Sequence, residues 1–224
     1  MSILLTARFH TTVAKAQQLP RVGLPEIAFI GRSNSGKSSA INVICQRRRL
    51  AFSSRTPGRT QALNYFALGP EDAPTAFLVD MPGYGFASAP REVRAGWDAL
   101  AGRYLRERAE LRGVVLTVDI RRLFTELDRT MLKWLPPGLA VLVLITKSDK
   151  YGFAQQGVAR RAATEQLHEL RPDGTVALQL FSASKHKGID EARATLEHWL
   201  ATPAGTRNAD GGEPAAPPEA SEPI

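Results

Sequence analysis

The chain holds a single cysteine, Cys45, so no disulfide can form within it, which is consistent with a reducing compartment. Its four histidines, His10, His168, His186 and His198, are too scattered to form a metal site together. No window approaches the roughly 18–20 apolar residues that span a bilayer. The opening "MSILLTARFHTTVAKAQQLP" has no signal-peptide architecture, and no internal repeat occurs. These absences argue against a disulfide scaffold, a transmembrane helix and a solenoid. The expectation is a soluble, cytoplasmic, monomeric protein without a membrane partner.

What is present is ordinary globular composition, with 43% hydrophobic and 23% charged residues over 224 positions. The net charge of +7 is basic enough to favour a polyanionic partner. The charge is uneven. Residues 202–224 carry a net of −3, so the remainder carries +10. That Pro/Ala/Gly-rich acidic tail is too poor in apolar side chains to offset its ordering entropy, and it reads as disordered. The expected organisation is an N-terminal extension (1–25) packing on a main domain (26–201), followed by the tail (202–224).

Apolar runs at 26–30, 62–68, 75–80, 113–119, 139–146 and 176–183 read as six strands. Gly69-Pro70 marks a turn between the second and third. Helical patterns occupy 37–48, 91–111, 125–135, 155–170 and 189–200. In 91–111, Val93, Trp97, Leu100, Tyr104 and Leu111 share one face. Alternating buried strands and helices predict an α/β fold, a mostly parallel six-stranded sheet with helices on both faces. In such sheets ligands bind beyond the carboxyl ends of the strands. Gly31, Asp80, Asp119, Thr146 and Ser182 all fall there.

"GRSNSGKS" at 31–38 matches G-x-x-x-x-G-K-[ST], with Gly31, Gly36, Lys37 and Ser38 in the fixed places. Glycines let successive N–H groups point at phosphate oxygens, and the following helix adds its positive end. Lys37 reaches the β/γ-phosphates, and the Ser38 hydroxyl ligates Mg²⁺. In "VDMPGYG", Asp80 is spaced to hold Mg²⁺ through water and Gly83 to offer an N–H to a γ-phosphate. In "ITKSD", the Asp149 carboxylate can accept from the paired N1 and N2 donors of guanine, which adenine lacks. The Lys147 stem can lie along the base plane. The Ser182-Ala183 backbone of "FSASK" can meet guanine O6. The loop "RTPGRTQ" needs a threonine for Mg²⁺ and the γ-phosphate. Thr60 is the choice, with Thr56 as rival.

Together, "GRSNSGKSSAIN", "TPGRTQALNYF", "VDMPGYGFA", "VDIRRLFTELDRTMLKWL", "ITKSDK" and "GIDEARATLEHWL" resemble the EngB family. These are bacterial GTPases of large-ribosomal-subunit assembly, also described as needed for normal division septation. The resemblance covers roughly residues 5–201 and implies a Ras-like P-loop GTPase domain. It implies GTP or GDP contacts at Gly31, Arg32, Ser33, Asn34, Ser35, Gly36, Lys37 and Ser38, and at Gly58, Arg59, Thr60, Gln61 and Ala62. Further implied contacts are Asp80, Met81, Pro82 and Gly83, then Thr146, Lys147, Ser148 and Asp149, and finally Phe181, Ser182 and Ala183. It places Mg²⁺ at Ser38 and Thr60, with Asp80 acting through water, and so favours Thr60 over Thr56. Lys37, Thr60 and Gly83 are the implied catalytic set. Asn34 matches the asparagine that in related GTPases helps hold potassium. Ser35 and Ala40 depart from the family's usual Val or Ala and Leu, and the acidic tail lies outside its pattern.

Tyr84 stands where Ras-type enzymes carry the water-orienting glutamine. Slow basal hydrolysis is therefore expected, accelerated from outside by ribosomal particles. The implied partner is a large-subunit precursor and its rRNA. Candidate RNA contacts are Arg47, Arg48, Arg49, Arg91, Arg94, Arg103, Arg106, Arg108, Arg121 and Arg122. The competing readings are a nucleotide-gated scaffold for division proteins with little meaningful turnover, and a GTPase-coupled RNA-modifying factor. The latter has no modification domain to support it.

Overall fold

The computed structural model describes residues 2–52, 62–84 and 98–202. The central strand β2 (Glu26–Gly31) is buried along its whole length, which explains its unbroken apolar run. On one side it pairs in parallel with β4 (Ala76–Asp80), and on the other with β5 (Leu111–Asp119). Beyond β5 lie β6 (Ala140–Thr146) and β7 (Val176–Leu180), also parallel. Strand β3 (Leu63–Leu68) returns antiparallel to β4 through a turn at Gly69, as Gly69-Pro70 led one to expect.

The sheet has seven strands, not six, in the order β1-β3-β4-β2-β5-β6-β7. The extra strand, β1 (Arg8–Val13), comes from the N-terminal segment and pairs antiparallel with the edge of β3. Its burial is poor except at Val13, so it carries no core-strand signature in the sequence. It forms because β3 offers an unpaired backbone edge.

Alternate residues of β2 feed two cores. Ile27 and Phe29 pack with Ile41 and Ile44 of α1 (Lys37–Ile44) and with Leu196 of α5 (Ile189–Ala201). Ala28 and Ile30 pack with Tyr104, Leu132 and Leu167. Those three belong to α2 (Arg103–Glu107), α3 (Glu126–Trp134) and α4 (Phe153–Leu170). Helices thus cover both faces. Helix α1 stops at Ile44, short of the expected 48. Gln46 turns left-handed (φ 50°), and Arg193 Nε donates to the Ile44 carbonyl at 2.8 Å. Cys45 is buried there, and burial pushes its thiol up to about 12, which removes it as a nucleophile.

The helix expected over 91–111 is corrected at its end. A wide turn at 98–102 leads into α2, which ends at Glu107, and Leu111 opens β5. The stop is set by Arg108. Its guanidinium donates to the Pro20 carbonyl at 2.6 Å and to the fully buried Glu26 carboxylate at 2.6 and 3.1 Å. Tyr104 and Tyr65 hydroxyls complete the cluster on Glu26, at 2.7 and 3.2 Å. Burial pushes the Glu26 carboxyl upward, and Arg108 opposes that push. Arg108 is therefore structural, and it drops out of the candidate RNA contacts. Val93 and Trp97, Arg91 and Arg94, and the tail 203–224 lie outside the described residues.

Candidate functional site

The carboxyl ends of β2, β4, β5 and β6, with the turn after β7, converge on one rim of the sheet. Gly31 ends β2 where a Cβ would lie 2.2 Å from Thr117 Oγ1 of β5, so only glycine fits. Gly36, at φ 98°, turns the loop into α1. Lys37 and Ser38 fall in the first turn of that helix, whose N-cap residue, Gly36, has no side chain to offer the helix amides. The loop is braced from behind. Ser35 Oγ meets Thr117 Oγ1 at 2.7 Å, so the serine that departs from the family pattern is satisfied inside the fold.

Lys37 Nζ donates to Asp80, which ends β4 and is 5% exposed. Burial pushes the Asp80 carboxyl up, while the Lys37 ammonium favours its charged form. The buried carboxylate and the Ser38 hydroxyl are hard oxygen donors suited to Mg²⁺. Met81 is 1% exposed and Phe181 is fully buried, so only their backbones can face a ligand.

The loop after β6 is stitched to the phosphate loop. Thr146 Oγ1 donates to the Ser35 carbonyl, and Lys147 Nζ donates to the Asn34 carbonyl at 2.7 Å. Lys147 itself sits at φ 55°, and its ammonium also holds Asp119 at 2.9 Å. Arg121 binds the same carboxylate, and these bonds keep Asp119 well below the usual carboxylate range. Asp149 accepts from Ser182 Oγ at 2.5 Å, and that bond holds its carboxyl below the usual value. The same bond fixes the direction in which the carboxylate faces. A cleft of about 1110 Å³ opens here, lined by Gly36, Thr146, Lys147, Asp149, Phe181 and Ala183 among others, wide enough for a nucleotide base and sugar.

Residues 26–147 match the family described as 50S ribosome-binding GTPase. A probable GTP-binding protein EngB from Paraburkholderia xenovorans (strain LB400) is 51% identical over 205 residues, covering 89% of this chain and 94% of its own. The chain belongs to the EngB family. The EngB protein of Ralstonia nicotianae (strain ATCC BAA-1114 / GMI1000) is 47% identical over 222 residues, covering 96% of this chain and 95% of its own. Among solved structures, a probable GTP-binding protein engB superposes with a TM-score of 0.53 at 18% identity, over 78% of this chain and 98% of that one. Era in complex with MgGDPNP and nucleotides 1506–1542 of 16S ribosomal RNA gives 0.60 at 20% identity, over 87% and 59%. At those identities the structural likeness speaks for the fold alone, a P-loop GTPase fold. As an EngB-family protein, this chain is a GTPase.

Of the expected site residues, Gly31–Ser38, Asp80–Gly83, Thr146–Asp149 and Phe181–Ala183 lie along this rim at or just past the strand ends. Gly58, Arg59, Thr60 and Gln61, and the rival Thr56, lie outside the described residues, while Ala62 is buried ahead of β3. Sequence reasoning had placed Tyr84 in the glutamine position. In the structure its hydroxyl donates to Asp128 at 2.7 Å, inside the fold. Burial, and then the Asp128 charge, push the phenol up, so it stays a proton donor. Asp128, Thr117 and the Ser182 hydroxyl were not foreseen. The Thr125-x-x-Asp128 capping spacing was legible, but its partners across the fold were not.

Of the described candidate RNA contacts, Arg47, Arg48, Arg49, Arg103, Arg106, Arg121 and Arg122 are exposed. Arg103 pairs with Glu107 at 2.6 Å, Arg121 pairs with Asp119 at 2.7 Å, and Arg106 lies 4.8 Å over the Trp134 ring. No helix among the described residues is long and apolar enough to cross a membrane.

Proposed function

We propose that this chain is a GTP-controlled switch in large-ribosomal-subunit assembly, with normal cell division and septation depending on it. The ribosomal part rests on one observation, the match of the site-building strands to the 50S ribosome-binding GTPase family. In this reading the loop amides of 31–38 and the start of α1 hold the phosphates, and Lys37 supplies a point charge to the β/γ-oxygens. Ser38, Thr60 and Asp80 (through water) would hold Mg²⁺, which would supply positive charge to the transferring phosphoryl group. Gly83 offers its N–H to the γ-phosphate. Asp149, positioned by Ser182, reads guanine, and the Ser182-Ala183 backbone meets O6. Lys147 does more than flank the base, because its ammonium ties the base loop to the phosphate loop.

Tyr84 cannot orient an attacking water while its hydroxyl is committed to Asp128, which supports slow hydrolysis by the chain alone. Arg47, Arg48, Arg49 and Arg122, which are exposed, are the arginines proposed to meet rRNA. The test is pelleting with large-subunit particles. Co-sedimentation under a non-hydrolysable GTP analogue, lost with GDP and weakened by salt, is the expected result. Absence of any GTP-dependent co-sedimentation would overturn the ribosomal reading and leave the nucleotide-gated scaffold for division proteins in its place.

Asn34 carries the proposal of a potassium site. Its backbone is left-handed (φ 64°), and Lys147 holds its carbonyl, which fixes the loop around the side chain. Turnover in potassium is expected to exceed turnover in sodium severalfold. Equal rates in the two salts would remove the site.

A further inference from the structure

We infer that Asp128 is the positioning residue that sets Gly83 against the phosphate loop, and so governs the preference for a triphosphate over a diphosphate. The inference rests on the reading of Gly83 as the γ-phosphate donor. Asp128 is 1% exposed. Its Oδ2 accepts the Thr125 N–H at 2.9 Å and the Thr125 hydroxyl at 2.7 Å, which meets the needs of α3 as a capped helix. Its other contacts reach beyond that helix. Oδ1 accepts the Tyr84 hydroxyl at 2.7 Å, and Oδ2 lies 3.4 Å from Arg32 Nε.

Arg32 and Tyr84 belong to two different loops of the site. Arg32 follows Gly31 in the phosphate loop, and Tyr84 follows Gly83. Their backbones already pair as a parallel bridge, with the Tyr84 N–H donating to the Gly31 carbonyl at 3.2 Å. The two loops are in close contact there, since a Cβ on Gly83 would lie 3.1 Å from Ser33 Oγ. A ring closes. The backbones of Arg32 and Tyr84 form one side, and Asp128 joins their side chains on the other. A buried carboxylate is costly unless every lone pair is used. Helix capping alone uses only one oxygen of Asp128. The second oxygen and the charge serve the junction between the loops.

The consequence is selective. The α- and β-phosphates are gripped by amides of the phosphate loop and α1, downstream of the ring. Only the γ-phosphate depends on where Gly83 stands. Loosening the ring therefore costs one hydrogen bond to a charged acceptor, about tenfold in affinity, and costs it to the triphosphate alone.

The experiment is calorimetric titration of full-length wild type, Asp128→Asn and Tyr84→Phe with GDP and with the β,γ-imido analogue of GTP. For Asp128→Asn the analogue is expected to bind about tenfold more weakly while GDP changes less than twofold. Tyr84→Phe is expected to give part of that shift, and the double variant no more than Asp128→Asn alone. Equal weakening of both nucleotides, or a lower melting temperature with the affinity ratio unchanged, would make Asp128 a helix cap only and overturn the inference. If Asp128→Asn does not fold, Tyr84→Phe, which removes one hydroxyl, carries the same comparison. Wild-type protein that bound neither nucleotide would sink the GTP-switch reading itself, an outcome distinct from an unmoved ratio.

Discussion

Asp149→Asn is expected to lower GTP affinity by about three orders of magnitude and to create affinity for xanthosine triphosphate. The reasoning is donor against acceptor. A carboxylate takes both the N1 and N2 hydrogens of guanine. An amide keeps one acceptor and turns an NH₂ toward guanine's own NH₂, so two donors face each other in a desolvated cleft. Sites built to pair a polar edge reject the unpaired analogue by factors on the order of 10⁴. Xanthine carries a carbonyl in place of the exocyclic amine and restores the match. Ser182 can donate to the amide oxygen as it does to Asp149 Oδ1 at 2.5 Å, so the loop should hold its shape. Calorimetry with GTP, ATP and xanthosine triphosphate reads the swap. GTP affinity within threefold of wild type would remove Asp149 from base recognition.

Glu26→Ala is expected to cost about 3–5 kcal/mol, the range for breaking a buried pair by deleting one partner. For a chain of this size that is a fall of roughly 10 °C in melting temperature. Glu26 is fully buried and accepts from Arg108, Tyr104 and Tyr65. Alanine takes the acceptor from two buried hydroxyls and the buried carboxylate from Arg108, which keeps only the Pro20 carbonyl and the more exposed Glu110 at 3.1 Å. The cluster lies at the opposite end of β2 from Gly31, about 16 Å away along the strand. GDP affinity should therefore stay within twofold while the melting temperature drops. A shift under 2 °C would mean that water or rearrangement replaces the pair at little cost.

These two residues mark how far the sequence could be read. Asp149 was legible because its neighbours in the chain, an apolar strand before it and a lysine two residues earlier, are local. The phosphate loop was legible for the same reason, since Gly31, Gly36, Lys37 and Ser38 are fixed by one turn between a strand and a helix. Glu26 looked like the polar first residue of a strand, and Arg108 looked like one of several surface arginines. Their pairing spans 82 positions and depends on how β2 packs beside β5. Leu111 fitted a helical face until that same pairing ended the helix before it. Strand β1 escaped notice because its exposed sequence gains its place from the free edge of β3, not from its own pattern. Asp128 escaped for a related reason. Its spacing to Thr125 signals a cap, and nothing local shows that Arg32 and Tyr84 arrive on the same carboxylate.

In the proposed reading the chain positions GTP, no water-orienting side chain is found among the described residues, and a partner would complete hydrolysis. Single-turnover hydrolysis of bound GTP by the purified full-length protein, with and without large-subunit particles, tests this directly. The expected result is a rate well below one per second alone and a large acceleration with the particles. A rate of several per second by the protein alone, unchanged by the particles, would contradict it.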